Sequence, residues 1–236
     1  RAFLPRSGVE SIKTLDARGG VCSDTNPVLF AKIGTTAIVE SAALFGILLG
    51  STKVNAPWKI FNQSLAEVLA SIFVIFGASF VGAIIDGGMS AATNQALNPN
   101  KILGDPDWYA NLIKPSWNPP GWLFPIMWLV VSKPTQLCAI SRMLKFGIKE
   151  NEKGTLLALA VYTTHLTLGD AWNKVFFGLE CINQGTTVIS LFFGALLTSA
   201  FLFYKIDKEA GYYMLPTCGW VAVAAALQYS IYFKNK

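Results

Sequence analysis

The chain of 236 residues is 53% hydrophobic and only 14% charged, whereas a soluble globular domain carries roughly 25% charged residues. Its mean hydropathy is +0.44 and its formal net charge +5. These values exclude an ordinary water-soluble domain and give no ground for a nucleic-acid partner, so the basic residues are expected to face lipid headgroups.

The first residues, "RAFLPRSGVESIKTLDARGG", begin without Met and carry Arg1, Arg6, Lys13 and Arg18. They read as a processed mature end of the kind left on proteins imported into organelles or exported. Six apolar windows follow, at approximately 28–50, 65–85, 119–142, 155–178, 186–204 and 211–233, each near the ~20 residues a spanning helix needs. No β-alternation persists, so the expected fold is an all-α membrane bundle. Small residues, among them Gly77, Ala78 and Gly82 in the second window and Ala222, Ala224, Ala225 and Ala226 in the last, allow close helix approach.

The connections are short except 86–118, whose Gly, Asn, Pro and Asp residues predict a long loop suited to a lid. With the tail set aside, Lys and Arg favour the side carrying 51–64, 143–154 and 205–210, which is expected to be cytosol-like or stroma-like. Cys22, Cys138, Cys181 and Cys218 stand far apart with no C-x-x-C spacing. They read as small apolar fillers rather than as metal or disulfide partners.

The long loop ends in "WYANLIKPSWNPPGWLFPIMW", residues 108–128. Asn118 is suited to cap a helix opening on Pro119 and Pro120, because a proline at the first helical position loses no intrahelical hydrogen bond. Trp117, Trp122 and Trp128 then fit either an interfacial aromatic belt or the wall of a ligand cavity.

The run W-Y-x-x-L-x-K-P-x-W-x-P-P-x-W-x-F-x-x-x-W strongly resembles the TspO/MBR family, which includes translocator protein, the peripheral benzodiazepine receptor. Trp172, Phe176, Phe177 and Gly178 fit the same pattern, as do Ala210, Gly211, Leu215, Pro216, Trp220, Val221 and Ala224. The resemblance implies a TspO-like five-helix transmembrane bundle over residues 65–236. Residues 1–64 would form a polar tail and one additional N-terminal transmembrane helix. It further implies a cavity for a tetrapyrrole, sterol or aromatic ligand, with Trp108, Tyr109, Pro119, Trp122, Trp172 and Trp220 lining or closing it.

Some positions depart from the family pattern. His165 and Gly169 stand where a Gln and an Asn are usual, and with Trp172 they share one helical face. Neutral imidazole can ligate the metal of a haem or chlorophyll, so His165 is a candidate axial ligand as well as a lining residue. Lys133 and Pro134 fall inside the third window, where a buried lysine needs a partner. Asp170 is the expected partner of Lys133 or Lys174, with Glu40 and Glu67 paired in a similar way.

Two functions suit this reading. One is a receptor, carrier or scavenger of a tetrapyrrole (porphyrin, haem or chlorophyll) or a similar hydrophobic molecule, with carotenoid or lipid as further ligands. The other is an accessory structural subunit of a large organelle assembly, such as a photosystem with its antennae. Expected partners are membrane lipid, a hydrophobic small molecule, and other subunits or a second copy of the chain. The expected location is an organelle membrane, the plastid thylakoid ahead of the mitochondrion. No nucleophile or free-metal cluster argues for an enzyme.

Overall fold

The computed structural model describes residue 22 and residues 27–54, 57–60, 63–97 and 106–236. The expectation of an ordered polar tail falls on residues outside these. Helix α1 (Pro27–Ser51) opens on a proline, whose missing N–H costs nothing at the first turn. A short antiparallel pair of strands, β1 (Lys59–Ile60) against β2 (Gln63–Ser64), precedes α2 (Leu65–Leu97). A reciprocal cap starts α2: the Ser64 amide donates to the Glu67 carboxylate at 2.9 Å and the Glu67 amide donates to the Ser64 hydroxyl at 3.2 Å.

Helix α2 runs well past its expected end, so the predicted loop at 86–118 begins as helix. It bends at Gly87 and Gly88, and Gly88 has φ 73°, a conformation that only glycine adopts freely. Helix α3 (Pro106–Asn111) follows. Lys114 closes it by donating to the carbonyls of Tyr109 at 2.5 Å, Ala110 at 2.9 Å and Leu112 at 3.1 Å, which uses all three ammonium donors.

Helix α4 (Leu123–Glu150) starts later than expected. Asn118 caps nothing; the chain instead turns once more through the Leu123 amide, which donates to the Pro120 carbonyl at 2.9 Å. Two widened π-helical turns, Ile126–Ser132 and Met143–Gly147, lie within α4. The first precedes Pro134, which cannot donate to the preceding turn and whose ring crowds it, so a wider turn relieves the clash. Helix α5 (Glu152–Asn173) is capped by Asn151, which accepts from the Gly154 amide at 3.0 Å, and ends in a π-helical turn at Lys174–Gly178. Helices α6 (Ile182–Ile206) and α7 (Lys208–Lys234) complete the chain.

The result is an all-α, multi-span bundle in which five helices, α1, α2, α4, α6 and α7, are long and apolar enough to cross a membrane. The fourth window, 155–178, is helical as α5 but falls outside that set. Its Thr155, Thr163, His165 and Thr167 are buried, because α5 packs centrally against α1, α2 and α6 and turns its polar side chains inward. Tyr162, Phe176, Phe203, Leu44 and Leu48 are among the largest fully buried side chains.

Cys22 and Cys181 form a disulfide, which corrects their reading as apolar fillers. The bond clasps the chain just before α1 to the turn before α6. Their separation of 159 positions leaves no local spacing signal. Cys138 and Cys218 are free thiols.

Asp207 is the only residue between α6 and α7. It receives Arg142 in a fork, Nε at 3.0 Å and Nη2 at 2.9 Å, and caps α7 by accepting from the Ala210 amide at 2.9 Å. Burial alone raises its carboxyl, but the hydrogen bonds from Arg142 and Ala210 outweigh that and hold it below its ordinary value of 3.8. A depressed carboxyl contributes stability that is complete above the ordinary value and fades as pH falls through the folded one. Asp207→Asn is therefore expected to cost about 1–2 kcal/mol at neutral pH and to flatten the loss of stability below about pH 4. Thermal unfolding across pH 2.5–7 checks both (approximate range); an unchanged acid slope would show that Asp207 is not its source.

Candidate functional site

A cavity of about 990 Å³ opens between α1, α2, α4 and α5 under the connection from α3 to α4. That is the upper end of the ~300–1,000 Å³ usual for small-molecule sites. Its mouth is made by Tyr109 on α3, by Asn118, Pro119 and Gly121 on the connection, and by Phe124 and Trp128 on the first turns of α4. Its far wall is α5, which contributes His165, Gly169, Asp170 and Trp172.

Of the residues expected to line or close a cavity, Tyr109, Pro119, His165 and Trp172 do line it. Trp108 stands behind them, edge-on to Phe176 with centroids 5.3 Å apart. Trp220 is buried and packs edge-on against Phe124 at 5.3 Å and Trp128 at 6.3 Å, so it braces the wall from α7. Trp122 is 66% exposed and does not line the cavity. Trp172 is held by its indole N–H, which donates to Gln228 at 3.3 Å, and by parallel stacking on Phe176 at 5.9 Å. Gln228 is fixed in turn, donating to the Ile182 carbonyl at 3.1 Å.

The polar groups of the cavity include several that the sequence reading passed over. Gln136, one turn beyond Lys133 on α4, accepts from the Tyr162 hydroxyl at 2.9 Å and donates to the Thr217 hydroxyl at 3.2 Å. Its spacing of three from Lys133 was the available signal, since such residues share a face. His165, 1% exposed, lies edge-on to Tyr162 at 4.7 Å and parallel to Phe192 at 6.1 Å. Its Nδ1 has no hydrogen-bond partner among the described residues.

The expected charge pairing is corrected. Lys174 pairs with Asp86 of α2 at 2.7 Å, and the other Asp86 oxygen accepts from Thr36 of α1 at 2.6 Å. Asp170 accepts instead from Ser79 at 2.6 Å, and Lys133 donates to the Ile75 carbonyl at 2.9 Å. Neither Glu40 nor Glu67 forms an ion pair among the described residues. Glu67 serves the cap of α2, while Glu40, 1% exposed, fits into the notch left by Gly82. The reason for the misassignment is geometric: Asp86 lies 88 positions from Lys174, beyond the reach of any helical spacing.

The sequence model of the TspO/MBR family matches residues 70–233. The chain belongs to the TspO/MBR family. Among its relatives, protein CrtK of Rhodobacter capsulatus is 34% identical over 161 residues, 68% of this chain and 92% of the relative. The tryptophan-rich protein TspO of Archaeoglobus fulgidus is 26% identical over 174 residues, 73% of this chain and 99% of the relative. The translocator protein of Sus scrofa is 28% identical over 141 residues, 59% of this chain and 82% of the relative.

This TspO/MBR chain is an integral membrane protein, and the thylakoid location expected from its sequence is corrected. The relatives named above, with the translocator protein of Homo sapiens, are bacterial, archaeal and mammalian proteins, not thylakoid ones. The photosystem setting of the accessory-subunit reading finds no support among these relatives. The TspO/MBR match begins at residue 70, so α1 lies outside the matched residues although Leu29, Lys32 and Ile33 on it line the cavity.

Proposed function

We propose that this protein is a membrane receptor or carrier that holds a flat, largely apolar molecule of the tetrapyrrole class in the cavity under residues 108–128. The observation that carries the reading is the cavity itself: an aromatic mouth over a wall with a few fixed polar groups, at a size suited to a macrocycle. Tyr109, Phe124, Trp128 and Trp172 offer faces and edges to a ring system, while Gln136 and His165 orient it. His165 is the single histidine of the chain, and its place beside Gly169 suits it to approach the metal of a metallated macrocycle. Binding rather than catalysis is the proposed role of these groups.

Gly121 supplies the test, because it lines the mouth and a side chain there would meet nothing within 4 Å. Titration of the purified full chain with protoporphyrin IX is expected to quench tryptophan fluorescence at one saturable site. Gly121→Trp should fill the mouth and weaken that binding at least ~10-fold, the equivalent of ~1.4 kcal/mol. Equal binding by Gly121→Trp would place the ligand elsewhere. Running the titration with iron protoporphyrin, with and without His165→Ala, reads the ligation in the same experiment through the haem absorption band.

A further inference from the structure

The lysines around the cavity are not equivalent. Lys174 is committed to Asp86 at 2.7 Å, and the exposed Lys32 lies at the same residue, its Nζ 3.5 Å from the Asp86 carbonyl. Lys114, beside the mouth, spends its three donors on three carbonyls. Lys133 differs. It is half-buried in the cavity wall, donates once, to the Ile75 carbonyl at 2.9 Å, and sits over the Phe76 ring at 5.1 Å. Among the described residues no carboxylate lies within 4.0 Å of it.

An ammonium has three N–H donors, so two remain for whatever fills the cavity. A cation in a low-dielectric wall is costly without a counter-charge, and one that faces a cavity can take it from a ligand. Asp170 shares the cavity, but one of its oxygens is occupied by Ser79 and it acts on Lys133 only through space.

We infer that the occupant of the cavity carries an acidic group, a carboxylate being the simplest, which seats on Lys133 while its apolar body lies along the aromatic wall. Two ligand classes bring that chemistry: a macrocycle with carboxylate side chains and a fatty acid. The inference rests on the cavity reading above and narrows it to acidic occupants. It assigns Lys133 the selection between an acid and its neutral ester.

The test compares protoporphyrin IX with its dimethyl ester, and palmitate with methyl palmitate, on the full chain in lipid nanodiscs. The acid of at least one pair is expected to bind ~10-fold or more tightly than its ester, about the value of one desolvated charge contact. Lys133→Met should erase that preference, and Lys133→Arg, which keeps the charge, should retain it. The arginine variant also keeps the test decisive if the methionine variant does not fold. Acid and ester binding alike in the wild type would overturn the inference while leaving the cavity reading intact, as would a preference that survives Lys133→Met. Acid preference with palmitate alone would uphold the inference and remove the tetrapyrrole reading. If neither acid binds, both fall.

Discussion

Alanine at position 211 is expected to destabilise the bundle by about 3 kcal/mol, the upper end for overpacking. A Cβ there would come 2.6 Å from the Tyr204 Cα, 2.8 Å from its backbone nitrogen and closer still to its Cβ. Those atoms are the backbone and the first side-chain carbon of α6, not the tip of a flexible side chain, so α6 and α7 must move apart to admit a methyl group. Asp207 alone joins the two helices, which leaves little slack to absorb the shift. Gly194→Ala is the control, since a Cβ there meets nothing within 4 Å; it should be neutral, or stabilising by up to ~1 kcal/mol through helix propensity. Thermal unfolding of both variants in the same detergent decides it. Equal behaviour would mean that α6 and α7 are not in the contact described.

The second large effect is expected at Lys174. Its ion pair with Asp86 joins α5 to α2, and the Thr36 hydroxyl on Asp86 adds α1, so one carboxylate holds three helices. Removing one partner of a buried pair costs about 3–5 kcal/mol. Here the side chains are 27% and 28% exposed, which screens the charge and lowers the expected cost of Lys174→Met to ~1–3 kcal/mol. Adding Asp86→Asn should recover part of the loss, because no uncompensated charge is then left behind. A double variant as unstable as the sum of the two single ones would show that the pair is not coupled.

The bundle was readable from the sequence because a run of apolar residues has to lie in lipid or in protein, and five of six windows meet the length and composition a membrane demands. The remaining one, α5, is buried by its neighbours rather than by apolarity: Thr163 and Thr164 meet Ser41 of α1, and Asp170 accepts from Ser79 of α2, so apolarity underrates it. Tyr109, Pro119, His165 and Trp172 lie on the cavity wall, a placement that motif and helical spacing carry. Trp122 does not, since whether a tryptophan faces a cavity or lipid depends on the turn that precedes it, and α4 starts at Leu123 rather than at Pro119. Pairings across long separations were the least legible. Asp86 with Lys174 and Cys22 with Cys181 are set by which helices become neighbours, and no local pattern encodes that.

The disulfide closes residues 22 to 181 into a covalent ring that contains α1 through α5, with α6 and α7 as a tail attached at the junction. A single backbone cut within that ring leaves one molecule rather than two. The cavity draws its walls mainly from helices inside the ring, so its parts stay tethered even if a connection between two of them is lost. In effect α1, which lies outside the family match, is held twice, by the backbone that runs on into α2 and by sulfur to the start of α6.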